Sequence, residues 1–481
     1  MNQKLAEPVK WLQSKGVDYA DCRYVRRERE TIHVSDDKVD SFSRNLDVGV
    51  GIRVLYKGAW GFAATAVITP AELKKTANLA LQIARASAVT KHEPVKLAEQ
   101  EAFADHYRSN YGKDPFAVPT DDKIDLLLRT TEILKNSRKI KSAEASMDFL
   151  KTHKYFVSTE GAEIEQEILE SGAGCNAVAF DGKEAQKRSY PNSFGGDFAT
   201  LGYEFVEQMN MLDHAERVRE EAIELLQAAP CPETTTTIVI CGPQMALQVH
   251  ESCGHPTELD RVLGTEISLA GGSFMTIEKL NKLKYGSDIV NITADATVHG
   301  GLGTFGYDDE GVKAQRSPLI KKGLFVGYLT SRETAPVINQ PSNGTMRADG
   351  FNRIPLIRMT NINLEPGNWE LADLIADTKQ GIFFDLNKSW SIDDRRLNFQ
   401  FGGECAREIK NGKLGRMYKN PVYTGITPEF WNSCDAICNR NHWHVWGVPN
   451  CGKGEPMQTA HVAHGAAPAR FRNVKVGVSK C

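Results

Sequence analysis

The sequence predicts an α+β protein in two parts. Residues 1–229 read as an antiparallel sheet with helices, and residues 230–481 as a mostly-β domain carrying one short helix of unusual composition. Three observations lead there. The 481 residues exceed what one ordinary core holds. Amphipathic segments alternate with strand-and-turn segments through the first half. AAPCPET, at 228–234, then separates a helix from a β-branched run with two prolines, and beyond it short strands predominate.

Residues 2–15 carry Leu5, Val9, Trp11 and Leu12, a first helix. ETIHVSDDKVDSFS alternates, with Ile32, Val34, Val39 and Phe42 apolar around a Ser35–Lys38 turn. GVGIRVLYKGAWGFAAT reads as a hairpin turning at Lys57-Gly58. Pro70 opens a helix. Residues 90–119 read as a long surface connection, and Thr120-Asp121-Asp122 as the cap of a helix to Lys135. Strands with turns at Glu160-Gly161 and Asp181-Gly182 follow, then one long helix over Tyr203–Leu226. TTTTIVICG reads as a buried strand and PQMALQVHESCGH as helix. Later hairpins turn at Lys322-Gly323 and Asn411-Gly412.

A formal net charge of −3 gives no electrostatic footprint for nucleic acid or an anionic membrane. No stretch approaches the roughly 20 apolar residues of a membrane span. The opening MNQKLAEPVKWLQSKGVDYA has no uninterrupted apolar run and no small-residue cleavage site, so no secretory leader is expected. Ten cysteines are scattered along the chain, which predicts reduced thiols in a cytoplasm, several of them core residues like Cys241.

The sharpest motif is HESCGH, His250 to His255. Two imidazoles on one helix beside a carboxylate suit a catalytic zinc: His250 and His255 as neutral nitrogen ligands, Glu251 as the base for a water. The usual spacing is i, i+4. Here it is i, i+5, which lies roughly 140° around a regular helix, so the rings could not share a metal. A π-bulge would realign them. Alternatively the helix unwinds at Gly254, and Pro256 stops it. The competing reading is two unrelated polar residues near a helix end. A third ligand is required, and spacing alone leaves it open among Cys434, Cys438, His442, His444, Cys451, His461 and His464. Cys434-x-x-x-Cys438 with His442 and His444 could form a second, structural zinc site; otherwise SCDAIC is a helix with buried thiols. His461 and His464 read as surface or loop histidines.

At this point the sequence resembles the TldD/PmbA peptidases, specifically the metal-bearing TldD branch. The resemblance lies in HESCGH, in Asp308-Asp309-Glu310-Gly311 followed by LIKKGLFVGYL, in IPLIRMTNINLEPG, and in Cys-Gly-Lys-Gly at 451–454, in that order. SDDKVDSFSRNLDVGVGIRVLYKGAWGFAAT looks like the family's N-terminal part. The resemblance implies Cys451 as the third zinc ligand. It also implies a homodimer, or a heterodimer with a TldE/PmbA-like subunit, acting on small or unfolded peptides. An older family label, modulator of DNA gyrase, supplies the alternative: a regulatory or binding protein with structural zinc or none. Pro256 departs from the pattern, where a typical TldD has Gly. Cys253 adds a soft ligand inside the motif.

The expectation is therefore a cytoplasmic zinc peptidase with Glu251 as general base, and with neither nucleic-acid nor membrane partners. Asp308, Asp309 and Glu310 read as a solvated turn, with a wall of the substrate channel as the alternative. Arg358, in an apolar strand, is expected to find a carboxylate. Gly300–Thr304 reads as a close backbone approach. Arg26, Arg27 and Arg29, alternating with Glu28 and Glu30, read as an exposed strand face.

Overall fold

The computed structural model describes residues 2–454 and 456–479. The first part contains α1 (Asn2–Gln13), β1 (Tyr19–Ser35), β2 (Lys38–Tyr56), β3 (Ala59–Thr65), α2 (Pro70–Thr90), β4 (Ala104–Arg108), α3 (Thr120–Lys135), β5 (Ile140–Ser158), β6 (Glu163–Phe180), β7 (Ala185–Tyr190), β8 (Asp197–Ala199), α4 (Tyr203–Gln208) and α5 (Met211–Gln227). One sheet runs β3-β2-β1-β5-β6-β4, with β7 and β8 also on β6. It is antiparallel except where β4 meets β6.

Its hairpins follow from turn chemistry. Asp36 and Asp37 sit at φ 49° and 72°, and Lys57 and Gly58 at 48° and 72°, the paired left-handed conformation that matches strand twist. Helices α1 and α2 bury Leu5, Leu12, Leu73 and Ala77 against Cys22, Val50 and Ile52. Helices α3 and α5 bury Leu127, Leu134 and Val218 against Met147, Phe149 and Ala177.

Three local expectations need correction. Residues 90–119 include β4, whose pairing with β6 satisfies its backbone. Thr120 is the first helical residue, not a cap; Pro119 occupies the cap position without a side-chain bond. The helix over 203–226 is two helices, because Asn210 adopts φ 47° between them.

The second part contains β9 (Ala229–Pro230), β10 (Thr234–Ile240), α6 (Gly242–Val249), α7 (Leu259–Val262), β11 (Ile292–Asp295), β12 (Arg316–Lys321), β13 (Leu324–Phe325), β14 (Met346–Arg347), β15 (Leu356–Ile357), β16 (Ile362–Leu364), α8 (Leu371–Asp377), β17 (Gln380–Ile392), β18 (Asn398–Lys410), β19 (Lys413–Lys419), β20 (Pro421–Ile426), α9 (Thr427–Asn432), β21 (Cys434–Ile437), β22 (His444–Lys453), β23 (Gln458–Ala466) and β24 (Ala469–Val478). The main sheet runs β17-β10-β24-β20-β18-β19-β9, with β21 on β24. The smaller sheets are β13-β12-β11-β16, β14-β15 and β22-β23. The linker is thus partly structural: β9 pairs with β19, and Cys231 is buried. In β10 only Ile238–Ile240 are buried, at the end that leads into α6. Within SCDAIC, Cys434–Ile437 form the strand β21, not a helix. The nine described cysteines are buried free thiols, and Cys481 lies outside the described residues. No helix among the described residues is long and apolar enough to cross a membrane.

The acidic run is not solvated. Asp308, Asp309 and Glu310 are all buried, where carboxylates require partners. Asp309 receives Lys154 at 3.1 Å, lies 3.9 Å from Arg23, and accepts the Ala348 N–H at 2.7 Å. Glu310 meets Arg53 at 3.4 Å and accepts the Arg332 N–H at 2.8 Å. Arg53 is held in turn by Asp21 at 2.6 Å. These contacts fasten the loop to the first sheet. Nor is the arginine-rich face simply exposed: Glu30 is buried against Lys123, and Arg27 reaches Asp349 at 3.0 Å.

Candidate metal centre

The strand β10 delivers the chain into α6, whose first turn is set by Pro243. Helical winding then changes. His250–Gly254 forms one π turn, closed by the His255 N–H donating to His250 O, the five-residue hydrogen bond that absorbs an extra residue. Pro256 has no N–H to return to Ser252 O. Tyr285 supplies the missing donor, its hydroxyl bonding Ser252 O at 3.0 Å. Thr257 Oγ1 donates to Cys253 O at 2.8 Å and Gly254 O at 2.9 Å. A Cβ on Gly254 would lie 2.1 Å from Met359 Sδ, so any side chain there would have to displace the buried Met359 thioether. The i, i+5 spacing is thereby converted into two rings with centroids 4.8 Å apart.

Cys451 arrives from β22, where the register with β23 shifts between Val448 and Cys451. This bulge re-aims the thiol. Sγ lies 3.5 Å from His250 Nε2 and 3.7 Å from His255 Nε2. Tetrahedral zinc holding nitrogen at ~2.0 Å and sulfur at ~2.3 Å sets such atoms about 3.5 Å apart. The donor set therefore fits zinc.

The partners behind the two candidate histidine ligands fix their tautomers. His464 Nδ1 lies 3.2 Å from Ile362 O, and its Nε2 faces His250 Nδ1 at 2.7 Å. A donor at His464 Nδ1 leaves its Nε2 to accept from His250, whose own Nε2 keeps a lone pair. His255 Nδ1 donates to Glu258 at 2.9 Å, with the same result. Burial holds both histidines below their ordinary value, hence neutral. Burial pushes the Cys451 thiol up, but Arg358 and His255 outweigh it and bring it below its ordinary value. Among the described residues Arg358 itself finds no carboxylate. It donates to Cys451 O at 2.5 Å and Gln458 O at 2.9 Å, bracing the strand that carries the thiol.

Glu251 is 5% exposed and accepts from Arg396 Nη1 at 2.7 Å. It shares a cavity of about 300 Å3 with the three donors, Phe194, Leu247 and Trp390. Other candidates are not brought here. Cys253 points into the hydrophobic core. Cys434 and Cys438 are buried, while His442 bonds Glu370 and His444 bonds Asp197; they form no metal cluster among the described residues. His461 pairs with Glu170. His464 is fully buried on β23, so reading it as a loop histidine was wrong. Gly303 does allow close approach, with Thr360 backbone 2.4 Å from its would-be Cβ. Sequence reasoning weighed His464 only as a possible ligand, not as the partner behind His250, and missed Glu258 and Arg396. The signals were present for two: alternation of Ala460, Val462, His464 and Ala466 marks a strand face, and Glu258 follows His255 by one helical turn.

Comparison with known proteins decides the family. Models described as PmbA/TldA metallopeptidase domain 1, central domain and C-terminal domain match residues 20–84, 113–229 and 234–478.

The chain belongs to the PmbA/TldD metallopeptidase family.

It is 31% identical to a metalloprotease of Methanocaldococcus jannaschii over 87% of this chain and 89% of that one. It is 25% identical to a zinc metalloprotease TldD homolog of Saccharolobus solfataricus, over 98% of both. Among solved structures, a Thermotoga maritima protein described as a modulator of DNA gyrase superposes with TM-score 0.78 at 16% identity, covering 99% of this chain and 100% of that one. TldE from Thermococcus kodakarensis superposes with TM-score 0.69 at 16% identity, over 98% and 100%. These two likenesses establish the shared family fold.

Proposed function

We propose that this chain is a zinc-dependent peptidase that hydrolyses small or unfolded peptides. The carrying observation is the convergence of His250, His255 and Cys451 beside the buried carboxylate of Glu251 in one cavity. In this reading the three side chains hold zinc, residues 230–481 form the metallopeptidase domain, and residues 1–229 the N-terminal α+β domain. Zinc, when bound, supplies Lewis acidity and acidifies water enough for attack at neutral pH. Glu251 takes the proton and returns it to the leaving amine. Val448, Leu247 and Phe194 give the cavity apolar walls. The bulged edge at Pro449-Asn450 offers backbone groups to an extended peptide, which favours tolerance of many side chains. The thiolate ligand gives the metal more charge than a third imidazole would, so modest turnover is expected.

The donor set argues against a regulatory protein with structural zinc. A closed site needs a fourth protein ligand, and Cys253 and Cys438 both lie outside the cluster. The family resemblance supports a cytoplasmic dimer, of two copies or with a TldE/PmbA-like subunit. Glu251→Gln tests the reading. Peptide hydrolysis should fall about 10²–10⁴-fold with zinc content unchanged, whereas undiminished hydrolysis would contradict the base assignment.

A further inference from the structure

Arg396 has no part in the proposed mechanism, and its setting is strained. It sits in the turn joining β17 to β18 with its backbone at φ 63°, a region that disfavours long side chains. The turn is firmly built. Asp393 accepts the N–H groups of Arg395, Leu397 and Asn398, and Thr427 Oγ1 donates to Arg396 O at 3.1 Å. This construction delivers the guanidinium to the metal-site cavity, which Arg396 lines.

Only one edge of that guanidinium is used. Nη1 donates to Glu251, while Nε is buried without a partner and Nη2 meets no acceptor among the described residues. The Nε–Nη2 edge is the one that grips a carboxylate with two parallel bonds. Arg470 does so to Asp435 in this same molecule, at 2.8 and 3.2 Å. A buried donor left unpaired is costly, and a ligand carboxylate is the acceptor whose shape matches it. Around it, Phe194, Leu247, Trp390 and Val448 give the cavity apolar walls. Its volume of about 300 Å3 lies at the small end for ligand pockets.

We infer that Arg396 binds the C-terminal carboxylate of the substrate, so that the enzyme removes a short, apolar C-terminal piece from peptides. The inference rests on the peptidase reading above. The reaction is hydrolysis: water adds its hydroxyl to the scissile carbonyl carbon, the C–N bond breaks, and the amine leaves with the proton. Arg396 is a substrate-binding residue in this scheme, and Glu251 keeps its contact with Nη1.

The test compares acetyl-Ala-Ala-Phe as the free acid with its C-terminal carboxamide, using the zinc-loaded full chain. A charge-assisted bond predicts kcat/KM at least about tenfold higher on the acid, expressed chiefly in KM. Arg396→Gln should lower hydrolysis of the acid more than of the amide and bring their ratio near unity. Arg396→Lys, which keeps the charge without the fork, should restore part of it. Equal hydrolysis of acid and amide by wild type, or a preference that survives in Arg396→Gln, would overturn the inference while leaving the peptidase reading intact. If Arg396→Gln does not fold, the wild-type ratio alone decides. Hydrolysis of neither form by the zinc-loaded protein would overturn both.

Discussion

His250 and His255 have only Nε2 free to meet a metal, because their Nδ1 atoms are already committed, to His464 at 2.7 Å and to Glu258 at 2.9 Å. Such partners set ring orientation and basicity, and their loss costs metal affinity about 10–100-fold. His464→Ala and Glu258→Gln should each weaken zinc binding by that factor in a chelator competition, with the three ligands intact. Unchanged affinity in both would mean that the rings are oriented by packing alone. At this scale the sequence was unevenly legible. HESCGH identified itself through residue type and adjacency. Cys451, almost two hundred residues away, came only through resemblance, because nothing local distinguishes it from Cys434 or Cys438. Arg358 was obscured for a simple reason: a buried charge is read from its neighbours, and Cys451 and Gln458 are distant in sequence.

The π turn is the element that makes the motif work. Its wide winding frees Ser252 O, and Pro256 cannot recapture it, so Tyr285 does. Removing that hydroxyl leaves a buried carbonyl without a donor. Tyr285→Phe is expected to destabilise the fold by about 1–3 kcal/mol, measured as a shift in urea midpoint. A midpoint equal to wild type would show that Ser252 O is satisfied elsewhere. The irregular winding was foreseeable from the i, i+5 spacing with Gly254 and Pro256, since two ligands must share a face. Other elements were less legible. The break at Asn210 carries no Pro or Gly, and the amphipathic pattern continues across it. β4 is mostly polar and mostly exposed and exists because β6 offers an edge, which no local pattern announces. SCDAIC fits either period over so short a run.

At the scale of the whole molecule, the buried charges at Asp309 and Glu310 hold the second part against the N-terminal sheet. Asp309→Asn leaves Arg23 and Lys154 buried without their counter-charge, an expected loss of about 3–5 kcal/mol in a denaturation experiment. The same site sets a pH dependence. Burial alone would raise the Asp309 carboxyl, but Lys154, Arg23 and the Ala348 N–H outweigh it and hold it well below the usual range. A depressed folded-state pKa contributes stability that is present above the unfolded value, about 3.9, and lost as pH falls through the folded one. Wild type should therefore lose more stability than Asp309→Asn when the pH is lowered from about 5 toward 2. Equal losses would place the acid sensitivity elsewhere. The division into an α+β half and a mostly-β half was legible because turn residues and periodicity change along the chain. The clasp between them was not, because three adjacent acids look like a solvated turn until Arg53 and Lys154 are placed beside them.

Metal analysis of wild type, His255→Ala and Cys451→Ser, with unfolded-peptide hydrolysis on the same samples, tests the central claim most directly. The account predicts about one zinc per chain in wild type, and its loss together with activity in both variants. Zinc retained in both variants would contradict the ligand assignment and the peptidase mechanism built on it.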